Sequence, residues 1–237
     1  MKKITALVVT FLIVGVSFAQ IVRLDRDTAF YIYLKGSQTV LTPKDELNYA
    51  KSFENLTYRK YKNDEFEWDE QFTKIKQSLK EKIHSVDMDV SYIVMTDVKL
   101  ENYDFTNEGF PVSISEKIFF PYDHFNNWAS LDSDSILDKR IALKLDRFEK
   151  YNFIAMPKVE AKKFLQTRKN TYGNVNRQVS LQVTFKIAEF DSEEYKSFAN
   201  IALSNDYLPV VGIIEKVEVY DTSNSYNVEK IGELMVK

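Results

Sequence analysis

The chain has no cysteine, and among its 237 residues there are only six glycines, five prolines and two histidines. Without cysteine there are no disulfides, zinc–thiolate sites, iron–sulfur clusters or thiol nucleophiles. The shortage of glycine and proline excludes collagen-like and low-complexity architectures and argues against a glycine-rich phosphate cradle. No Walker loop, Gly-x-Gly-x-x-Gly turn, His-Glu-x-x-His helix or Gly-x-Ser-x-Gly elbow occurs. There is also no basic run. The net charge is −3, and the lysines at 74, 76, 80 and 82 alternate with other residues as a solvated helix face does, so no nucleic-acid partner is expected. What is present is a 44% hydrophobic, 14% aromatic composition, enough to fold.

The first nineteen residues read as an export signal. Lys2 and Lys3 form a basic head, Ile4 to Phe18 is uncharged and apolar, and Ser17 and Ala19 are small residues at the −3 and −1 positions of a cleavage site. The apolar run is shorter than the roughly 20 residues a membrane span needs, which favours cleavage over anchoring. Residues 1–19 are thus expected to be removed, leaving 20–237 as a single α+β domain without a transmembrane segment. Loss of the two lysines makes the mature chain more acidic. Its lysine- and asparagine-rich, alanine-poor usage suggests a bacterial protein, periplasmic or secreted. Without disulfides, core packing alone must hold it together, and a chain this long can bury enough surface to do so.

Residues 20–86 read as mainly helical. Asp27–Thr28 is expected to cap a short helix through Leu34 that Gly36 ends. Thr42-Pro43-Lys44-Asp45 supplies a capping hydroxyl, a proline at the first helical position and an acid in the first turn. Leu47, Ala50, Phe53, Thr57 and Tyr61 then predict one helix, interrupted at Asn63–Asp64. Trp68, Phe72, Ile75, Leu79 and Ile83 recur at helical spacing and form a single apolar stripe. These longer helices should form an antiparallel hairpin.

Residues 87–237 read as mainly strands. Apolar and polar residues alternate over Met88–Leu100, Ile141–Leu145 and Val179–Ile187, and Val211–Tyr220 is a further strand. Alternation implies one buried and one wet face, which favours antiparallel pairing. Pro157–Arg168 should be a short helix with Ala161, Phe164 and Leu165 inward. Asp191–Leu203 should be a weaker one built on Tyr195, Phe198 and Ile201. Val98–Asp104, Leu143–Glu149 and Phe185–Asp191 share an apolar-Lys-apolar start and an aromatic-acid end, a pattern that either marks a repeat or follows from how amphipathic strands end. The expected fold is α+β: an N-terminal helical hairpin packed on a mainly antiparallel β-sheet or small sandwich.

Candidate chemistry concentrates in Phe119–Trp128, where five aromatic residues and a histidine fall within ten positions. His124, oriented by Asp123, is the candidate general base of a hydrolase. Tyr122, Phe125 and Trp128 are candidate binding residues, because rigid amphipathic rings give contact area at low entropic cost. His84 closes the strong helix, where a protonated imidazole complements the C-terminal carbonyls. Asp132-Ser133-Asp134-Ser135 invites a calcium reading, but Ile136, Leu137 and Leu143 stand where the loop needs a ligand, a glycine and a glutamate. No metal site and no cofactor are expected. The leading expectation is therefore an exported, non-enzymatic binding module for an unknown protein or small-molecule ligand. A hydrolase using His124 and a structural component of an envelope assembly are the alternatives.

Overall fold

The computed structural model describes residues 21–115, 117–120, 135–223 and 228–236. Among the described residues there are six α-helices and nine strands. The strands form one mixed, mostly antiparallel sheet, as an α+β fold requires.

The helical front departs from the expected boundaries for identifiable reasons. After β1 (Ile21–Arg23), α1 spans Arg26–Ser37, and its cap is Asp25 rather than Asp27: an Asp25 carboxylate oxygen accepts from the Thr28 N–H at 2.8 Å. Gly36 does not end this helix. The Phe190 ring stands 2.1 Å from where a Cβ would be, so the glycine is there for close packing. Termination falls to Gln38, in the left-handed region at φ 53°. α2 (Pro43–Phe53) begins as expected, with Thr42 and Asp45 in a reciprocal capping box. The predicted single helix then breaks at Glu54. There the Asn55 side-chain amide donates to the Lys51 carbonyl at 2.8 Å, and α3 (Asn55–Tyr61) starts afresh.

Asp64 caps α4 (Glu65–Ser85), whose apolar stripe buries Ile75 and Leu79. α4 packs on the other front helices, and α1 is the one among them that meets the sheet, at its strands Arg140–Asp146 and Tyr207–Asp221. Tyr58 meets Trp68 edge-on, with ring centroids 5.3 Å apart, and Trp68 stacks on Phe72, which zips α3 to α4. On the solvated side of α4, Lys74 reaches Glu70 at 2.6 Å. That bond holds the carboxyl below and the ammonium above their ordinary ranges.

The sheet is organised around two central strands. β2 (Ser91–Lys99) pairs antiparallel with β7 (Gln178–Ile187), and β7 pairs antiparallel with β8 (Tyr207–Asp221). Tyr92, Val94 and Val98 lie opposite Phe185, Val183 and Val179 on the helix-covered face. β1 runs parallel to the start of β2 and forms one edge. On the far side, the 15-residue β8 is shared. Its first half pairs in parallel with β5 (Arg140–Asp146), and its second half pairs antiparallel with β9 (Glu229–Val236). β4 (Lys117–Phe119) lies outside β5, while β6 (Tyr151–Ala155) and β3 (Gly109–Pro111) lie outside β9.

Pro209 is tolerated inside β8 because β7 reaches only to Gly212 and, through the Ala188 N–H, to the Val211 carbonyl. The nitrogen of Pro209 faces the side on which, among the described residues, no strand pairs with it.

One-face burial holds along β2 from Tyr92 onward and along β7 from Leu181 onward, with Ser91 and Ser180 also buried near the strand starts, but it fails along β5. Both Ile141 and Ala142 are buried there, because α6 (Glu193–Ser204) covers the reverse of the sheet at Ala142 and Val211. α6 turns Tyr195, Phe198, Ala199 and Ala202 inward, whereas Ile201 faces solvent at 55% exposure, correcting the inward role expected of it. α5 (Lys158–Thr167) behaves as expected, with Ala161 buried and Phe164 and Leu165 half-buried. The three look-alike segments end three strands differently: in a bridge to Val112, in a 3-10 turn at Phe148–Lys150 and in the approach to α6. They are strand ends and not a repeat.

One polar group in the core runs against packing. Asn48 in α2 is fully buried, and neither amide atom has a hydrogen-bond partner among the described residues. Burying an unmatched amide costs about 1–3 kcal/mol. Asn48→Leu, similar in volume, is expected to raise the urea midpoint by an amount worth about 1 kcal/mol or more; an unchanged or lowered midpoint refutes this reading.

Candidate functional site

Tyr122, Asp123, His124, Phe125 and Trp128 lie outside the described residues, as do residues 1–20 and Leu131–Asp134. Ser135 is described. It caps the 3-10 turn Ile136–Asp138 and donates to the Asp45 carboxylate at 2.9 Å, a structural role that needs no cation. His84 sits exposed in the last turn of α4, as expected. Among the described residues no cluster of three His, Asp or Glu could hold a metal ion, and no helix is long and apolar enough to cross a membrane.

Polar side chains converge on a cleft where α1, the end of α4, β1 and the start of β2 meet. An open cleft of about 430 Å³ is walled there by Tyr31, Lys82, Asp87 and Tyr92, with Val22 and Val90 on the apolar side. The Tyr31 and Tyr49 hydroxyls share a hydrogen bond of 2.9 Å, and the Lys82 ammonium donates to the Tyr49 hydroxyl at 3.1 Å. Lys82 also reaches Glu54 at 3.4 Å. Tyr92 donates to the Asp87 carbonyl at 2.6 Å, and Lys35 donates to the carbonyls of His84 and Val86, so the end of α4 that forms the rim is tied down.

The electrostatics of this cluster decide what it can do. Burial pushes the Tyr31 phenol far above its ordinary range, and the bond to Tyr49 adds to the shift. Burial also raises Tyr92, with Asp87 contributing. For Lys82 burial acts in the opposite sense, yet the Tyr49 hydroxyl and the Glu54 carboxylate outweigh it and hold the ammonium above its usual value. At neutral pH the cleft therefore offers neutral phenols and a protonated amine. A general base or amine nucleophile needs a pKa brought towards the working pH, and these groups are moved away from it.

A second, larger cavity of about 660 Å³ opens at the other end of β2, with Lys99, Glu101, Asn102, Ser113 and Arg177 on its wall. Arg177 donates to the Glu101 carbonyl at 2.8 Å, and the Glu101 carboxylate accepts from Ser113 at 2.7 Å.

A family described as a domain of unknown function, DUF4852, matches residues 44–167, just over half of the sequence. The chain belongs to that family. The DUF4852 stretch carries α2 through α5, including Tyr49 and Lys82, but stops short of β7 and β8. β2 and β5 find their partners in those two strands, so the matched residues depend on the chain beyond them to close the sheet. No curated protein and no solved structure matches the chain.

Sequence reasoning missed the cleft for a physical reason. Tyr31, Tyr49 and Lys82 come from three different helices, with 18 and 33 residues between the hydrogen-bonded partners. No local spacing marks them. The one available signal was Lys82, a lysine next to the apolar stripe of α4, which reads equally well as part of a solvated face.

Proposed function

We propose that this member of the DUF4852 family is an exported, non-enzymatic binding module, and that the cleft between Tyr31, Lys82 and Tyr92 is where it holds a small polar ligand. The observation that carries this reading is the pairing of geometry with protonation. Hydrogen-bond donors and ring faces line an open cavity, while its phenols and amine are held in their neutral and cationic forms. Such a wall recognises oxygen acceptors and stacks on apolar or ring surfaces. Export rests on the basic head, apolar run and small-residue site at positions 2–19.

The test uses the chain as secreted. N-terminal sequencing is expected to give a first residue of Gln20, and a chain retaining Met1 in the envelope would overturn export by cleavage. Ligand-observed NMR against a library of sugars, amino acids and nucleosides is expected to yield binders whose affinity falls at least tenfold in Lys82→Met and Tyr31→Phe. Turnover of ester, phosphate, glycoside or peptide substrates that disappears in His124→Ala would overturn the non-enzymatic reading.

A further inference from the structure

The outer edge of β2 is only partly covered. Alternate residues of a strand direct their N–H and C=O groups to the same side, and two bonds fix which residues look outward. The Ile93 carbonyl accepts from the Leu24 N–H at 2.8 Å, and the Glu101 N–H donates to the Pro111 carbonyl at 2.9 Å. Met95, Asp97 and Lys99 share that parity. Among the described residues no strand pairs with them on this side; the Leu100–Val112 bridge engages the Lys99 carbonyl, and the other five outward backbone groups have no hydrogen-bond partner.

The opening is a notch and not a free end: β1 closes one side of it and the Pro111–Val112 backbone the other. Between the bracketing bonds there is room for about five extended residues at roughly 3.3 Å each. Met95 is 40% exposed, Asp97 and Lys99 are exposed, and Thr96 and Val98 on the other face are only half-buried. A strand laid here would complete the ladder and cover Val98.

We propose that this notch receives an extended peptide segment of a partner protein, with acidic residues set against Lys99 and Arg177. Strand addition to an open edge gives affinity through main-chain bonds and specificity through alternate side chains. The charges select the occupant. Neither Lys99 nor Arg177 has a carboxylate partner among the described residues, and both line the 660 Å³ cavity at this end. Asp97 and Glu101, two residues before and after Lys99 in the chain, are already engaged, Asp97 accepting from Ser180 at 2.5 Å and Glu101 from Ser113. A second copy of the chain fits less well. Antiparallel pairing of two such edges about their central residue would set Asp97 opposite Asp97, and like charges directly opposed are destabilising. This inference is independent of the cleft at Lys82.

The probe is an acetylated, amidated heptapeptide of alternating threonine and valine with one terminal threonine replaced by glutamate, so that a carboxylate meets Lys99 and none meets Asp97, titrated into the mature chain and followed by amide hydrogen exchange and fluorescence anisotropy. Exchange at Met95, Asp97 and Lys99 is expected to slow at least tenfold at saturation, and the counterpart with lysine in place of the single glutamate is expected to bind at least tenfold more weakly. Met95→Pro deletes one outward N–H while leaving the bonds to β7, and it is expected to weaken binding at least tenfold. A peptide N-methylated at alternate residues gives the same reading on the unaltered protein, should that variant not fold. Lys99→Glu is expected to reverse the preference between the two peptides. Absence of protection, equal binding of both peptides, indifference to N-methylation, or sedimentation showing that the notch pairs two copies would each overturn the proposal.

Discussion

Phe185→Ala is expected to lower the free energy of unfolding by about 3–5 kcal/mol, read as a shift of the urea midpoint followed by far-ultraviolet circular dichroism. Phe185 is fully buried in β7, directly opposite Tyr92 of β2 and Ile214 of β8. Its ring lies over Gly212, close enough that a Cβ there would stand 2.4 Å from it. Deleting the ring therefore opens a void whose floor has no side chain to relax into it, which places the cost towards the upper end of the range. The same contact predicts a coupling. Gly212→Ala alone should cost about 1–3 kcal/mol by overpacking. In the double variant the new methyl enters the space the ring has left, so the combined loss should be smaller than the two single losses added together. Simple additivity would mean that Phe185 and Gly212 do not share that space.

Legibility follows how local each determinant is. The start of α2 was readable because the capping hydroxyl, the proline and Asp45 lie within four residues, and β7 because ten residues of unbroken alternation admit one orientation. The C-terminal half of β8 was readable, but the break in its alternation was not: Ile214 and Lys216 pair with neighbouring residues of β7, leaving Glu215 as a bulge. Glu215 then accepts from Ser91 at 2.7 Å, a contact no sequence window contains. β9 escaped notice because Leu234 is its only buried residue and its charges belong to a cross-strand cluster. In that cluster Lys216 and Lys230 each contact both Glu218 and Glu233, at 2.6–3.2 Å. The hydrogen bonds hold both glutamates below, and both lysines above, their ordinary ranges. Arg168 is a further long-range feature. It lies buried over the Phe164 ring, donates to the Gln178 carbonyl and pairs with Asp221 at 3.5 Å, although its place in sequence looks like an ordinary helix end. The cleft and the open edge belong to the same class of feature: they arise when distant segments meet, and alternation or helical spacing is silent about where that happens.

Asp45→Ala is expected to cost about 3 kcal/mol at neutral pH, combining a lost helix cap with two lost charge-assisted bonds. The carboxylate accepts from the Thr42 N–H at 3.0 Å and the Thr42 hydroxyl at 2.7 Å, which completes the capping box of α2. It also accepts from the Ser135 hydroxyl at 2.9 Å and the Ile136 N–H at 3.1 Å, tying α2 to a turn 90 residues away. Burial alone would raise this carboxyl, but the bonds from Thr42, Ser135 and Ile136 outweigh it and hold the group below its ordinary value of 3.8. A carboxyl depressed in the folded state binds fewer protons there than in the unfolded chain. Its contribution is therefore fully present above the unfolded value and is lost as pH falls through the folded one. The stability gap between the parent protein and Asp45→Ala should thus be widest at neutral pH and narrow steadily below about pH 4. Urea titrations at pH 7, 5 and 3 measure it. A gap that stays constant across those three points would show that Asp45 acts only by filling space. A gap that closes on acidification while helix content is retained would assign the loss to the α2–Ser135 tie and not to the cap, because the hydroxyl and N–H from the distant turn are donors without a replacement once the carboxylate is gone.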